Sequence, residues 1–443
     1  MTRVIKLRQG LNLNLAGAAK REKISVAAGK TFALQPSSFV GVKPKVVVKE
    51  GDKIKAGDAL FINKDFPEVK FASPVSGTVV LVERGERRKL LSVRVEADAQ
   101  QEYAQFETKS ACGNCVKQAL LDAGLFGYIN QLPYAISTNP QTEPKAIFVS
   151  ALRDMPLACD FEYELEGNEK DFQAGLSALA KIAKTYLGIG ASQSAKALTD
   201  AKDVEVVVFD GKCPAGNVGV QINHIDPINK GEVVWTVDPT AVIFFGRLFN
   251  TGKVDLRHLV AIAGSEISNP AYAEMLVGQS ISSAVASVSD GARIIDGNPF
   301  TGTKTTKDGF LGAHTSEITA IPEGNNADEL AGWIMPRFKQ FSVSRSYFSW
   351  LLGKKDYNLD ARIKGGERHM IMSGEYDSVL PMDIYGEYLI KAIIAGDIDK
   401  MEQLGIYEVS PEDFAVAEFV DSSKLELQRI VREGLDMLRK ENS

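Results

Sequence analysis

The most constraining feature of this sequence is a pair of similar stretches, "PKVVVKEGDKIKAGDALF" (44–61) and "ASPVSGTVVLVERGERRKLLSVRVE" (72–96). Gly51 and Gly57 fall where hairpin turns need a positive φ, which glycine adopts without steric strain. Around these turns, apolar and polar residues alternate, which predicts short strands with one face in a core. The residues expected to point inward are Val46, Val48, Ile54, Leu60, Ile62, Val79, Leu81, Leu91, Val93 and Val95. Residues 1–100 are therefore predicted to form a small all-β domain.

This pattern resembles the barrel-sandwich hybrid of biotinyl and lipoyl domains, which carry their cofactor on a lysine at a hairpin tip. The position that corresponds to that lysine, counted back from Pro74, is Phe66. Lys64 lies nearby, but Asp-Phe-Pro follows it, unlike the target of a modifying enzyme. Because an amide-linked arm requires an amine, we expect a barrel without a cofactor.

The middle of the chain, 101–255, is predicted to be a Rossmann-like α/β domain. The stretches "PKAIFVSALR" (144–153) and "VEVVVFDG" (204–211) are continuous apolar runs, as expected for strands covered on both faces. Residues 171–189 between them have apolar residues at helical spacing. We expect "LGIG" (187–190) to be the C-cap of that helix.

A nucleotide-binding loop is not evident in this α/β region. The stretch "DGKCPAGNVGV" (210–220) follows a strand, but its glycines do not have the G-x-G-x-x-G spacing. Pro214 also prevents an immediate helix whose N-terminus could bind a pyrophosphate. No Walker A lysine is present, so nucleotide binding is not favoured.

The cysteines define one motif, "CGNC", in which Cys112 and Cys115 precede the helical stretch 116–126. A structural zinc site needs a second pair of ligands, and the sequence does not supply one. The spacing suits a redox dithiol at a helix N-terminus. It also suits two thiols in a linker, which is the interpretation we favour.

The C-terminal half divides into a β-rich and a helical part. Residues 256–325 have strands joined by Asp-Gly and Asn-Pro turns, with a helix expected after Gly278, and they resemble the β-grasp (SLBB-like) module. Residues 326–443 are predicted to be a helical C-terminal domain, beginning at "ADELAGWIMPRF" (327–338) and ending in an amphipathic helix. The scattered histidines are interpreted as structural, and they are His224, His258, His314 and His369.

Composition excludes two classes of function. A net charge of −6 argues against nucleic-acid binding, because phosphate recognition requires a basic excess. The chain has no apolar run of about 18 residues, the length that a membrane-spanning helix needs. The N-terminal "MTRVIKLRQGLNLNLAG" lacks the apolar core of a signal peptide. We therefore expect a soluble, cytoplasmic chain without a transmembrane segment.

The order of these parts resembles the A subunits of the sodium-translocating NADH:quinone reductases (Na⁺-NQR) over essentially the whole chain. The supporting stretches include "CPAGNVGVQINHIDP" (213–227), "FFGRLFNTG" (244–252), "FSVSRSYFSWLLGKKDYNL" (341–359) and "VLPMDIYGEYLIKAIIAGDIDKMEQLG" (379–405). The family is related to the C subunits of Rnf complexes and to the flavin-carrying NADH subunit of respiratory complex I. The resemblance implies a peripheral subunit on the cytoplasmic face of the bacterial inner membrane, at the quinone-reduction end. Five further subunits, several of them integral membrane proteins, would be its partners, and a quinone could also bind.

The resemblance also implies that this chain has no catalytic, cofactor-binding or metal-binding residues of its own. The complex uses FMN, FAD, riboflavin, an iron centre, NADH and ubiquinone, so the isolated chain is expected to be inactive. Flavin-binding relatives have a glycine-rich stretch where this chain has side chains expected to fill the cavity, namely Tyr128, Ile129, Gln131, Leu132 and Tyr134. Ala417 and Asp421 stand where family members often have cysteines.

One stretch, "RFKQFSVSRSYFSWLLGKKDYN" (337–358), which we call the aromatic–basic segment, is unlike the rest of this acidic chain. Aromatic and arginine residues supply much of the energy at protein interfaces, and both suit the headgroup level of a bilayer. A core helix with a solvated basic face is the other interpretation. The interface candidates are Phe341, Arg345, Tyr347, Phe348, Trp350, Lys354 and Lys355.

Three functions of other classes stay open at this point. A carrier-domain enzyme would require a covalently modified lysine. A flavin-dependent NADH dehydrogenase subunit of an Rnf-like complex would carry FMN. A periplasmic adaptor or polysaccharide-export protein would combine similar β modules but would need a signal sequence.

Overall fold

The computed structural model describes residues 3–108, 111–325, 334–353 and 355–442. The strands in chain order are β1 (Arg3–Lys6), β2 (Lys23–Ile24), β3 (Thr31–Leu34), β4 (Pro44–Val46), β5 (Lys53–Ile54), β6 (Ala59–Asn63), β7 (Lys70–Ala72), β8 (Gly77–Arg84), β9 (Leu90–Ala97), β10 (Ile129–Leu132), β11 (Ile136–Ser137), β12 (Ile147–Ser150), β13 (Thr185–Gly190), β14 (Glu205–Asp210), β15 (Val234–Val237), β16 (Arg257–Ala263), β17 (Ala271–Leu276), β18 (Ala292–Asp296), β19 (Thr303–Thr305) and β20 (Glu317–Pro322). The helices are α1 (Gly113–Asp122), α2 (Phe161–Leu165), α3 (Glu169–Ile182), α4 (Lys196–Thr199), α5 (Val218–Ile225), α6 (Pro239–Thr251), α7 (Glu375–Val379), α8 (Gly386–Ala395), α9 (Ile398–Gln403), α10 (Ala415–Val420) and α11 (Leu427–Glu441).

A seven-stranded sheet with the order β1-β14-β13-β12-β15-β10-β11 forms the centre of the molecule. Its five strands from β1 to β15 are parallel, and β10 and β11 add antiparallel pairs at the other edge. Successive residues of β12 point to opposite sides, so Ile147 and Val149 join one core while Phe148 joins another. Both faces are covered, which explains why these strands are continuously apolar. The predicted Rossmann-like domain is confirmed.

One element of this sheet differs from the prediction. Residues 185–190 form strand β13, whereas the sequence indicated that "LGIG" (187–190) caps a helix. The preceding helix α3 ends at Ile182. The apolar residues of the fully buried strand β13 happen to continue the helical spacing of α3, which is why the sequence suggested one longer helix. Gly188 has no room for a side chain, because a Cβ there would lie 1.9 Å from the Gln221 Oε1 atom of α5. The glycines therefore serve close packing in the sheet, and the C-cap interpretation is wrong.

The N-terminal barrel-sandwich hybrid is confirmed as two small antiparallel sheets, β3-β9-β8-β5 and β4-β6-β7. Gly51 and Gly57 have positive φ angles of 92° and 99°, as the turns require. The prediction that Leu81 and Leu91 point inward is wrong, since both side chains are exposed. The pairing of β8 with β9 shifts register after Val79 and again after Glu83, and each such irregularity reverses the face of the following residues.

Strands β1 and β2, which the sequence assigned to the barrel, pair outside it. Strand β1 extends the α/β sheet through parallel pairing with β14, and β2 pairs with β17. The β-grasp-like module is a six-stranded sheet, β19-β18-β20-β16-β17-β2, so the N-terminal strand completes it. The helix expected after Gly278 is wrong, because residues 281–289 form turns between β17 and β18.

The C-terminal helices cover the second face of the central sheet. Helix α11 buries Ile430, Leu435 and Leu438, and these residues share a core with Phe148 of β12 and Phe209 of β14. Ser410 begins a turn before α10 with reciprocal hydrogen bonds to Asp413, the arrangement of a capping box. The helical part begins only at α7, because the described residues between 334 and 374 contain no α-helix; part of "ADELAGWIMPRF" lies outside the described residues.

Candidate functional site

A cavity of about 720 Å³ opens at the carboxyl ends of the parallel strands. From β12 the chain continues to β13 on one side of the sheet, while β15 lies on the other side, so the strand order reverses between β12 and β15. The loops that follow these two strands, 150–155 and 236–239, line the cavity. Open α/β sheets bind their ligands at this kind of switch point. The other walls come from the barrel, the β-grasp-like sheet and Glu412 of the tail, so all four parts of the chain contribute.

Arg153 is the central cation of the cavity floor. Its guanidinium donates hydrogen bonds to Glu164 at 2.8 Å, to Asp238 at 3.0 Å and to the Thr240 hydroxyl at 2.7 Å. Asp238 is the N-cap of α6, and its carboxylate also accepts from the backbone N–H of Thr240. Burial lowers the pKa of Arg153, but the Asp238 and Glu164 carboxylates outweigh it and raise that pKa overall. The network fixes the loop after β12 against the start of α6.

A second buried contact joins the α/β domain to the β-grasp-like sheet. The Glu317 carboxylate accepts a hydrogen bond from the backbone N–H of Cys159 at 3.2 Å. Burial raises the pKa of Glu317, and burial also raises the pKa of the Cys159 thiol. A thiol with a raised pKa is a poor nucleophile. Cys159 is therefore a packing residue at this junction.

Several acids at the cavity are held in environments that favour their neutral form. Burial raises the pKa of Asp154 to about 6 and that of Asp296 to about 6, against opposing hydrogen bonds from backbone N–H groups. Glu412 and the adjacent Asp413 both have raised pKa values, first because of burial and then, for Glu412, because of its neighbour's charge. Ionisation of these groups destabilises the folded protein, and a cationic or hydrogen-bond-donating ligand would offset that cost.

The charge of the lining decides which ligands the cavity disfavours. Five acidic residues face two basic ones, with Asp154, Asp238, Asp296, Glu317 and Glu412 against Arg153 and Lys304. Phosphate groups require the opposite balance. Helix α6 has the acidic Asp238 at its N-cap, where a nucleotide pyrophosphate would otherwise be received. The cavity is therefore poorly suited to a nucleotide, in agreement with the missing glycine motif.

The side chains expected to occupy the place of a flavin do not line this cavity. Ile129 and Leu132 join cores on opposite sides of the sheet, and the buried Gln131 accepts a hydrogen bond from the backbone N–H of Asn139 at 3.0 Å. Asn130 is the β10 residue that reaches the cavity. Tyr134 is not a lining residue either. Tyr128 lines a side pocket of about 10 Å³, with room for one water molecule, next to His314. The lining of the 720 Å³ cavity does not test whether these residues occupy the place of a flavin, so that part of the expectation stays a prediction.

Two of the four histidines hold structural positions, as predicted. His258 contacts the carbonyl oxygens of Leu256 and Thr315, and His224 contacts that of Pro381 at 2.8 Å. His314 departs from this pattern because it lines the cavity, where burial lowers its pKa. Across the described ranges, no cluster of three or more His, Cys, Asp or Glu residues has the arrangement of a metal site. Within the same ranges, no helix combines the length and apolarity needed to span a bilayer.

The described part of the aromatic–basic segment consists of turns and a 3₁₀ helix at Phe348–Leu352, and many of its side chains are exposed. The side chains of Phe348 and Trp350 are 51% and 46% exposed, and the Arg345 guanidinium lies 5.5 Å from the Trp350 ring. Clustered exposed aromatic side chains of this kind are typical of interaction surfaces. The alternative of a core helix with a solvated basic face is therefore wrong for the described part of the segment.

The remaining candidates of this segment behave differently. Phe341 packs edge-on against Tyr357 and contacts Phe419 of the tail, so it anchors the segment on the body of the protein. The Lys355 ammonium bonds to the Phe338 carbonyl oxygen and lies over the Tyr357 ring. Tyr347 is half-buried, and Lys354 lies outside the described residues. The structure thus brings Arg345, Phe348 and Trp350 together on the surface.

Further apolar residues, which were not among the interface candidates, are exposed. Leu351 and Leu352, next to Trp350, are 60% and 57% exposed. A second apolar patch lies on α8, where Tyr385, Tyr388 and Ile394 are exposed although the opposite face of the helix is buried. The signal was present in the sequence, because "IYGEYLIKAIIAG" (384–396) is apolar around the whole helix and not on one stripe.

Cys112 and Cys115 are bonded to each other as a disulfide at the start of α1. The interpretation as two thiols in a linker is therefore wrong. Cys112 is the N-cap residue, and its Sγ atom accepts a hydrogen bond from the backbone N–H of Cys115 at 3.3 Å. The pair lies among the described residues that do not line the cavity.

The fold defines a multi-domain α/β protein. Its barrel-sandwich hybrid, Rossmann-like domain, β-grasp-like sheet and helical tail all line the acidic cavity. Three family descriptions match successive parts of the chain. They are "NqrA N-terminal barrel-sandwich hybrid domain" at 5–98, "NqrA second alpha/beta domain" at 112–254 and "NQRA C-terminal domain" at 259–307.

Full-length relatives match as well. The A subunit of the Na(+)-translocating NADH-quinone reductase of Saccharophagus degradans is 33% identical over 447 residues, covering 99% of this chain and 100% of that protein. The proteins of the same name from Yersinia pestis and Neisseria meningitidis are 33% and 32% identical, with the same coverage. The chain belongs to the NqrA family, the A subunits of the Na⁺-translocating NADH-quinone reductases. An NAD⁺-reducing [NiFe]-hydrogenase structure aligns with 48% of this chain and 47% of its own at 12% identity, but its TM-score of 0.33 supports no argument.

Proposed function

We propose that this chain is the peripheral NqrA subunit of a sodium-pumping NADH:quinone reductase (EC 7.2.1.1), docked on membrane subunits at the cytoplasmic face of the inner membrane. In the complex, electrons pass from NADH to quinone and the free energy released drives Na⁺ export. The chain contributes by holding the membrane subunits at the quinone-reduction end, and the redox groups lie on its five partner subunits. Full-length similarity to proteins of that name supports the assignment to the complex.

The exposed aromatic–basic segment is the single observation that carries the docking role. Phe348, Trp350, Leu351 and Leu352 present a contiguous apolar stretch, and Arg345 lies beside it. Arginine and tryptophan are the residues that most often dominate binding energy at interfaces. The segment is fixed on the tail by Phe341, which packs on Phe419 and Tyr357, so its exposed residues are presented by a packed support.

The docking role is tested with the double variant Phe348→Ala/Trp350→Ala, expressed in the intact complex. Each truncated anchor is expected to cost about 2 kcal/mol of binding free energy, so the two together should cost about 4 kcal/mol and the affinity for the membrane subunits should fall by a factor on the order of 10³. The measurement is the amount of this chain that co-purifies with the membrane subunits. Circular dichroism and thermal unfolding of the isolated variant check that it still folds.

The matched control is Tyr385→Ala/Tyr388→Ala, which removes two exposed aromatic rings from the α8 patch. This control is expected to stay in the complex. Full retention of the first variant together with release of the control would place the interface at α8. Unfolding of the first variant would show that the segment belongs to the core, and either result contradicts the proposal.

The alternative, a flavin-dependent NADH dehydrogenase subunit of an Rnf-like complex, is less compatible with the cavity. Both FMN and NADH carry phosphates, and the lining has five acidic residues against two basic ones. Arg153 is already neutralised by Glu164 and Asp238. The cavity therefore does not provide the cationic surroundings that either ligand would need.

A further inference from the structure

The Cys112–Cys115 disulfide combines features that a purely structural crosslink does not need. Cys112 is exposed and Cys115 is half-buried, so reagents in solution have access to the first sulfur. The crosslink closes a loop of only two intervening residues, with the two Cα atoms 5.2 Å apart. Since the stabilisation by a disulfide rises with the length of the loop it closes, this one adds little to stability.

We propose that Cys112 and Cys115 form a reversible dithiol–disulfide exchange site, in which Cys112 is the attacking thiolate and a small thiol–disulfide couple of the glutathione class is the partner. In oxidation, the Cys112 thiolate attacks one sulfur of the oxidised partner, forms a mixed disulfide and releases one partner thiolate. The Cys115 thiolate then attacks the Cys112 sulfur, closes the intramolecular bond and releases the second. Two electrons pass to the partner, and the two cysteine protons leave with the two released thiols.

The local structure stabilises negative charge on the Cys112 sulfur. This atom occupies the N-cap of α1, where it accepts the backbone N–H of Cys115 and faces the positive end of the helix dipole. The first turn of α1 contains no acidic side chain that would oppose the thiolate. Cysteines at such helix starts are the ones that react as thiolates in exchange reactions.

The backbone of the motif is held in place by its packing on α3. A Cβ atom at Gly113 would lie 2.5 Å from the Lys181 carbonyl oxygen, so glycine is required for this close approach. The N-terminus of α1 is therefore supported in a fixed position, and both cysteines stay near each other after the bond is reduced. This arrangement favours ring closure over a lasting mixed disulfide.

The other two cysteines serve as internal controls. Cys159 and Cys213 are buried, and burial raises the pKa of both thiols. In the native full-length chain they should resist thiol reagents. Only the "CGNC" pair should therefore exchange.

The test equilibrates the folded chain with glutathione buffers of different redox ratio, alkylates it with iodoacetamide and determines the intact mass. In reducing buffers two alkyl groups should be added, and in oxidising buffers none, with half-conversion at a defined ratio. Two alkyl groups under oxidising conditions would show that no disulfide forms. Reduction that requires prior unfolding would show a static crosslink. Either result would overturn the proposal.

The roles of the two sulfurs are separated with Cys115→Ser and Cys112→Ser. With Cys115 removed, Cys112 should be trapped as a mixed disulfide with glutathione, at least about tenfold faster than Cys115 is trapped in the reciprocal variant. Equal rates, or faster trapping of Cys115, would refute Cys112 as the attacking thiolate. Thermal unfolding of both variants provides the check that neither substitution disturbs the fold.

Discussion

Among individual residues, Asp154 is a cavity acid whose ionised form is disfavoured by burial. Its Oδ2 atom accepts a hydrogen bond from the backbone N–H of Gly216 at 2.9 Å, but its Oδ1 atom is buried without a partner among the described residues. Burial raises the pKa from 3.8 to about 6. An unpaired buried carboxylate oxygen is costly, so the folded chain binds the Asp154 proton more tightly than the unfolded chain does.

This preference predicts a pH dependence of stability. Because the folded protein binds the Asp154 proton more tightly than the unfolded chain does, the associated stabilisation is present below about pH 4 and is lost as the pH rises through about 6. Asp154→Asn keeps an acceptor for Gly216 but cannot ionise. It should be more stable than the parent chain at pH 7.5, by at most about 3 kcal/mol, and nearly equal at pH 4. Urea unfolding at both pH values measures this, and a destabilised variant at pH 7.5 would contradict it.

Turnover should not depend on the "CGNC" pair. Neither cysteine lines the cavity, and no metal cluster among the described residues includes them. Replacing both with serine should leave quinone reduction by the assembled complex within about tenfold of the parent rate. A larger loss, above about 1.4 kcal/mol in activation free energy, would show that the exchange site takes part in electron transfer.

Among the helices and strands, the tight crossing of α3 and α6 makes a sharp prediction. A Cβ atom on Gly246 would lie 1.6 Å from the Asp171 carbonyl oxygen, and one on Gly175 would lie 2.1 Å from that of Val242. Gly246→Ala should therefore force the helices apart and cost about 3 kcal/mol or more of the free energy of unfolding. The matched control is Gly291→Ala, where nothing lies within 4 Å and the stability should change by less than about 0.5 kcal/mol. Similar unfolding curves for both variants would contradict the predicted steric clash where α3 and α6 cross.

Elements were predictable where local pattern and burial agree. Gly51 and Gly57 marked turns correctly, and the Ser410 cap and the apolar stripe of α11 were visible in the sequence. Strand β13 was not, since its apolar residues continue the helical spacing of α3 and only pairing with β12 and β14 makes it extended. Leu81 and Leu91 were assigned to the wrong face because local spacing does not show where β8 and β9 shift register.

For the molecule as a whole, the sequence indicated the four parts but not how they enclose a common site. The cavity depends on contacts between distant residues, such as Glu317 with the Cys159 backbone and Asn217 with Asp413. Its lining therefore follows from the assembled fold and from no local motif. The docking candidates were more accessible, because exposed aromatic and basic residues are adjacent in the chain. The sequence did not show which of these residues face solvent, because this depends on tertiary packing. Phe341 packs against Phe419 of the tail, whereas the Trp350 side chain is exposed.

If the redox groups lie on the partner subunits, as proposed, the isolated chain should be colourless and inactive. The decisive measurement is the visible absorption spectrum of the isolated full-length chain, recorded with its NADH oxidation rate and an intact mass. We expect no flavin or iron–sulfur absorption, no NADH oxidation above background and a mass equal to that of the sequence. Stoichiometric FMN, or NADH oxidation by the chain alone, would show that it carries redox chemistry of its own.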